Sequence, residues 1–262
     1  MSSGNPAGRL LGIVEEARKI KDDMSIKQAW ESILGVDKDN HSQMMFRLGR
    51  VMLLPEQAMV EIREYYPDEE EAQKYWVGQV NKALFQGTHT GQKWNGVKQY
   101  LDNHTVQYLK MAAAMLKMVQ GERLLGSDQL DTMRSKLNDI LEELEAHNLS
   151  RSAKAIIRSH LNAILSALDE YKICGKQGIE EASHRAVGEL AVNREFREEV
   201  SNTPVGKKFA AALIFIFGIA GGANDSLQLA GSVPKFLEDM RSSEEQIVEH
   251  AEGIDEESNV EK

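Results

Sequence analysis

Signals that start and stop helices recur along this chain at short intervals, and nothing between them reads as a strand. Asn5-Pro6 is an N-cap followed by a first-turn proline, and it opens a helix through Leu10, Leu11, Val14, Ala17 and Ile20. Ser25 begins a capping box closed by Gln28, and the short helix it starts stops at Gly35. A third helix is expected over 42–53, and a fourth from Pro55 until Tyr66-Pro67 breaks it. Asp68 to Glu71 loads the first turn of a fifth with acids that suit the helix dipole.

The stretch 86–96 carries three glycines and no apolar periodicity, so it reads as a loop and as the best internal boundary. Beyond it, 97–101 and 105–119 read as helices. An αα-hairpin follows. Ser127 is expected to cap a helix with Leu130, Met133, Leu137, Ile140, Leu141 and Leu144 on one face. Ser150 caps the next, with Ile157, Leu161, Ile164, Leu165, Leu168 and Tyr171. Only Asn148-Leu149 lies between the end of the first helix and the second cap, and so short a joint makes antiparallel neighbours. Residues 172–178 end the hairpin, and further helices are expected at 179–192 and 195–201.

These patterns contain no period-two strand pairs, no hairpin turns and no repeat of fixed length, so the expected class is all-α: an irregular multi-helix bundle containing an αα-hairpin. Five prolines and 6% aromatics against eleven methionines lean the same way, and 42% hydrophobic with 27% charged residues is ordinary for a folded domain. The expected organisation is an N-terminal helical subdomain at 1–85, the loop at 86–96, a central bundle at 97–201, an apolar glycine-containing segment at 202–240 and an acidic tail at 241–262. That tail holds eight acids against Arg241 and Lys262, which leaves the rest of a chain of net charge −10 nearly neutral. A solvated end is the plain reading of such a charge block.

No secretory signal is evident in residues 1–12, and one cysteine, Cys174, leaves no intramolecular disulfide and no multi-cysteine zinc site. A cytoplasmic protein is expected, with relocation to a membrane as an alternative. Its Gly206-Lys207-Lys208 lacks the upstream glycine and the hydroxyl residue of a P-loop, and no nucleophile elbow or dinucleotide fingerprint occurs. Glu181 and His184 form one Glu-x-x-His unit, but di-iron bundles need a second unit and two further glutamates. His147 and His160 fall near the apolar stripes of the hairpin, where hydrogen-bonded histidines are ordinary. Lys172 and Lys176 flank Cys174, yet a structural thiol at a helix end is the expected role. The segment 25–51 resembles a helix-turn-helix at Leu34-Gly35-Val36, but Glu31 stands where a small residue is needed and the body has no basic stripe. Nucleic-acid binding is therefore not expected. Trp30, Trp76 and Trp94 with Met111, Met115 and Met118 are expected as core rather than as a ligand groove. Catalytic, cofactor and metal residues are all expected to be none.

One segment stands apart. From Phe209 to Ala223, fifteen consecutive residues carry no polar side chain, preceded by Lys207 and Lys208 and followed by Asn224 and Asp225. A helix apolar on every side is buried in protein or sits in lipid. At 1.5 Å per residue it spans about 22 Å, short of the roughly 30 Å hydrocarbon core of a bilayer. Gly218 and Gly222 form a GxxxG that would let helices approach closely, and the chain is apolar again at Leu227, Leu229, Ala230 and Val233 before Pro234. A buried core helix is the first expectation, membrane contact the second and an exposed self-association surface the third. Lys207, Lys208, Phe209, Phe215, Phe217, Gly218 and Gly222 are the candidate membrane or self-association residues. In architecture, though by no shared motif, the arrangement is similar to bacterial membrane-acting effectors.

The function expected from these features is a non-enzymatic interaction or regulatory protein that binds a protein partner or itself. The alternative is a toxin or antiviral cell-death effector, whose segment 209–233 is masked by the bundle until a trigger releases it.

Overall fold

A computed structural model of the chain describes residues 4–120 and 124–220. Among the described residues there are eleven α-helices and no strand, only an isolated bridge between Ser25 and Lys93. The protein is all-α, as its helix punctuation predicts. The chain divides into two compact units, Met1–Leu124 with Glu170–Gly175, and Leu125–Asp169 with Lys176–Lys262.

The first unit holds α1 (Pro6–Lys19), α2 (Ile26–Leu34), α3 (His41–Tyr65), α4 (Glu70–Gln86), α5 (Asn95–Lys98) and α6 (Asn103–Gln120). Its caps follow the sequence signals. The Asn5 side chain accepts from the Gly8 amide at 2.8 Å, the Ser25 hydroxyl accepts from the Gln28 amide at 3.3 Å, and Gly35 ends α2 in the left-handed conformation at φ 60°. The expected break at Pro55 does not occur: α3 runs unbroken through it for 25 residues. Pro55 is itself buried, and Leu48, Val51, Leu54, Ala58 and Ile62 bury the same face on both sides of it. Packing along that whole face outweighs the one hydrogen bond a proline removes.

The three tryptophans are core, as expected. Trp30 and Trp94 meet edge to face at 5.1 Å, and the three indole N–H groups donate to Gly87 O, Gln73 Oε1 and Ala17 O. The methionines of α6 are a correction: Met111 and Met118 are exposed and Met115 only half-buried, while Val106, Leu109, Ala112, Ala113 and Leu116 turn inward. The loop 86–96 lies within this unit. Trp94 N donates to Met24 O, Asn95 N to Asp22 O and Ile26 N to Gln92 O, so backbone bonds tie the loop to the α1–α2 connection. Gly87 is needed there, since a Cβ would stand 2.9 Å from Trp30 Nε1. The division of the chain falls instead between Leu124 and Leu125.

The second unit contains α7 (Ser127–Glu143), α8 (Arg151–Asp169), most of α9 (Tyr171–Val192), α10 (Arg194–Asn202) and α11 (Pro204–Ala220). Helices α7 and α8 pack as the expected hairpin, burying Met133, Leu137, Ile140 and Leu144 on one side and Ile157, Leu161, Ile164 and Leu168 on the other. Ser127 is the first residue of α7 rather than its cap. The extended residue is Gly126, whose N–H donates to Gln129 Oε1 at 2.9 Å. Ser150 does cap α8, accepting from the Ala153 amide at 3.0 Å while its own N–H and hydroxyl donate to Glu199.

Helix α9 starts at Tyr171 rather than at 179, and it kinks at Gly175, where φ is 62° and ψ −162°. A Cβ there would stand 2.6 Å from Arg9 Nη1, so both the dihedral and the close approach require glycine. The segment Glu170–Gly175 belongs to the first unit because buried Glu170 pairs with Arg50 at 2.9 Å and with Arg47 at 3.5 Å.

Candidate functional site

Helix α11 carries most of the residues singled out from the sequence. It buries Val205, Phe209, Ala212, Leu213, Ile216 and Ala220, a stripe spaced by threes and fours that packs on α7 and α10. Phe209 is fully buried, with Phe196 of α10 at 6.4 Å between ring centroids. The other side is only partly covered. Phe215 lies under the Lys136 ammonium at 5.0 Å and Phe217 lies 5.0 Å from the His184 ring. Ile214 and Gly218 are exposed, and a Cβ on Gly218 would meet nothing within 4 Å. A run that is apolar all round in sequence is therefore covered on one side among the described residues.

The two lysines before the run differ. Lys207 is half-buried, and Lys208 Nζ donates to both oxygens of Glu143 at 2.8 and 2.7 Å. That bond holds the Glu143 carboxyl below the usual glutamate range. Gly222, the second half of the GxxxG, lies outside the described residues, as do Leu227, Leu229, Ala230, Val233 and the acidic tail. Among the described residues no single helix is long and apolar enough to cross a membrane. Helices α10 and α11 together have the length and composition, but they meet at a bend of 105°.

The histidines do not converge. His147 Nε2 stands 3.9 Å from Glu143. His160 is half-buried and desolvation lowers its pKa, favouring the neutral ring; Glu189 opposes this and Arg185 adds to it. His184 faces Phe217, and its Glu-x-x-His partner Glu181 accepts from Gln177 Nε2 at 3.2 Å. Among the described residues no three His, Cys, Asp or Glu side chains are grouped to hold a metal ion.

Sequence reasoning missed a buried polar cluster in the first unit. Arg47, on the inner face of α3, donates to Leu34 O at 2.8 Å and Gly35 O at 3.0 Å and pairs with Glu170. Arg50 Nη1 reaches Cys174 Sγ at 2.8 Å as well as Glu170. Burial pushes the Cys174 thiol up, and Arg50 offsets this only in part. The lysines beside it are engaged elsewhere, Lys172 with Glu16 and Lys176 with Glu180. A raised pKa and an Arg50 contact fit the structural role expected of Cys174. Arg47 and Arg50 of α3 are both turned onto Glu170.

The outer face of α3 was also missed. Met45, Phe46, Met52, Leu53 and Val60 are exposed at 46%, 54%, 39%, 57% and 51%. At 3.6 residues per turn they lie on one side of the helix, opposite the buried Met44, Leu48, Val51 and Ile62. Several exposed apolar side chains in one row differ from the scattered singles common on protein surfaces. A helical-wheel plot over 41–65 would have shown two apolar faces there, had the helix not been expected to break at Pro55.

The chain matches no family model, no curated protein and no solved structure.

Proposed function

We propose that this is a non-enzymatic helical protein whose role is to bind a protein partner or itself. The observation that supports this reading is the outer face of α3, where Phe46, Leu53 and Val60 stand in solvent on a helix whose other face is fully packed. Among the described residues His147, His160 and His184 stand apart from one another and Cys174 bonds Arg50, which favours a binding role over a catalytic one. The test compares the full chain with a Phe46→Glu variant. The variant is expected to keep the wild-type melting temperature and to lose the proteins that copurify with the wild type. Turnover of nucleotides, esters or peptides that disappears on substituting His147, His160 or His184 would overturn the reading.

A second reading is favoured by α11. In it the less covered side of that helix, with exposed Ile214 and half-buried Phe215 and Phe217, is the edge of a membrane-acting segment that the second unit restrains through Glu143–Lys208 and His184–Phe217. Leakage of vesicles by the full chain under a triggering condition, lost on Phe217→Asp, is its signature.

A further inference from the structure

We infer that acid releases α10 and α11 together from the rest of the second unit and frees them to bind an anionic lipid surface. This rests on the membrane reading above and supplies its trigger. Among the described residues, both hydrogen-bonded ties that join these two helices to α7 and α8 end on a carboxylate. Glu199 of α10 accepts the backbone N–H and the hydroxyl of Ser150, each at 2.7 Å, at the start of α8. Glu143 of α7 accepts twice from Lys208 of α11, at 2.8 and 2.7 Å. An ionised carboxylate accepts at both oxygens, and a proton turns one of them into a donor.

These ties, and not the buried stripe, separate the two states. Lipid tails are as apolar as the α7 face, so Val205, Phe209, Leu213 and Ile216 are covered equally well in either place. The two ties exist only in the docked state, and losing them shifts the balance away from it. Phe196 and Phe209 meet between α10 and α11, so the pair leaves as one body. Arg197 donates to Leu190 O and Ala191 O at 3.2 and 2.9 Å, bonds that acid does not touch and that tether the pair to α9. Glu143 faces Lys208 and, at 3.9 Å, His147, while Glu199 faces the positive end of α8. Lys208 holds the Glu143 carboxyl below its usual range, so that tie is present above the range and lost as pH falls through the depressed value. A negative lipid surface concentrates protons and raises the bulk pH at which this happens. Once Glu143 is neutral, Lys208 stands unpaired beside Lys207 at the head of an apolar helix, a pattern that suits anionic headgroups.

The experiment is flotation of the full chain with phosphatidylglycerol vesicles from pH about 7 to about 4, which spans histidine and carboxylate titration. The bound fraction is expected to rise roughly tenfold towards acid and to be lost on Phe217→Asp. Glu143→Gln combined with Glu199→Gln should move the binding midpoint up by about one pH unit or more. Each change alone should move it part of the way, with helical circular dichroism retained. Glu145→Gln removes a carboxylate paired with Lys154 and Arg158 in the same unit, and should leave the midpoint in place. Trp30, Trp76 and Trp94 are buried in the first unit, so their fluorescence should stay constant through the transition. An emission shift at the binding midpoint means wholesale acid unfolding and overturns the proposal. Equal binding to phosphatidylcholine vesicles overturns the anionic surface. A midpoint that neither carboxamide moves, or equal binding at both ends of the pH range, overturns the trigger and leaves the membrane reading standing. No binding at any pH, in wild type and in the double variant, overturns both.

Discussion

Among the described residues helix α11 carries no charged side chain after Lys208 and still leaves Ile214 and Gly218 exposed, whereas α3, which carries six charged side chains between Arg47 and Glu64, leaves Phe46, Leu53 and Val60 in solvent. Both helices bury one stripe spaced by threes and fours. In α11 that stripe is one part of a continuously apolar surface, and in α3 it is one of two apolar stripes on opposite sides. Hydropathy therefore measures how much surface a helix gains by covering. The side on which the neighbours lie decides how much is covered: α11 packs on α7 and α10, while α3, with more neighbours, packs on α1, α2, α4 and α6 from one side only.

The sharpest way to break this comparison is to shorten one phenylalanine on each helix. Phe209→Ala empties a fully buried site beside Phe196 and should cost about 3–5 kcal/mol, read as a lower midpoint in urea unfolding. Phe46→Ala, at a side chain 54% exposed, should stay within about 0.5 kcal/mol of wild type. Equal losses would mean that the outer face of α3 is covered within the chain.

A second test uses two glycines of α11 and expects opposite signs. A Cβ on Gly206 would stand 2.3 Å from Val200 O and 2.6 Å from Val200 Cα, so Gly206→Ala forces the backbone of α10 to shift and should cost roughly 1–3 kcal/mol. Gly218→Ala meets open space and should stabilise by up to about 1 kcal/mol through helix propensity, raising the melting temperature. Gly218→Leu, which would overpack a closed interface, should be tolerated for the same reason. A fall in melting temperature with Gly218→Ala would show that the outer side of α11 is as closed as its inner side.

The smallest effect concerns the tie between α7 and α11. Lys208 holds the Glu143 carboxyl below its ordinary value, so the tie contributes fully above the usual glutamate range and is lost as pH falls through the depressed value. Because the pair lies at the surface, Lys208→Ala should move the melting temperature less than either glycine change. The Glu143 titration, followed by NMR, should shift upward in Lys208→Ala. An unmoved titration would show that the bond is not made in solution.

Much of the local structure was legible because it rests on neighbours within one turn. Asn5, Ser25, Ser150 and Gly35 act where their chemistry predicts, and the inward positions of the α7–α8 hairpin follow its three-and-four spacing. The departures arise where distant contacts decide. Pro55 stays helical because five buried side chains around it share one core face. The loop 86–96 is held inside the first unit by hydrogen bonds to residues more than sixty positions earlier in the chain. The candidate residues on α11 were found by composition, but which of them face inward was not. The outer face of α3 went unseen because exposure is a property of neighbours.

By itself the sequence determined the all-α class, the caps at Asn5, Ser25, Gly35 and Ser150, and the burial of the three tryptophans, because these depend on local hydrogen bonding and on the 3.6-residue period. Only the tertiary structure decided that Met111 and Met118 point outward, that Glu170 joins Arg47 and Arg50 across more than a hundred residues, and which side of α11 is covered among the described residues. Each of these turns on which helix lies beside which. That is settled by the global fit of buried surfaces, and no stretch of sequence a few turns long contains it.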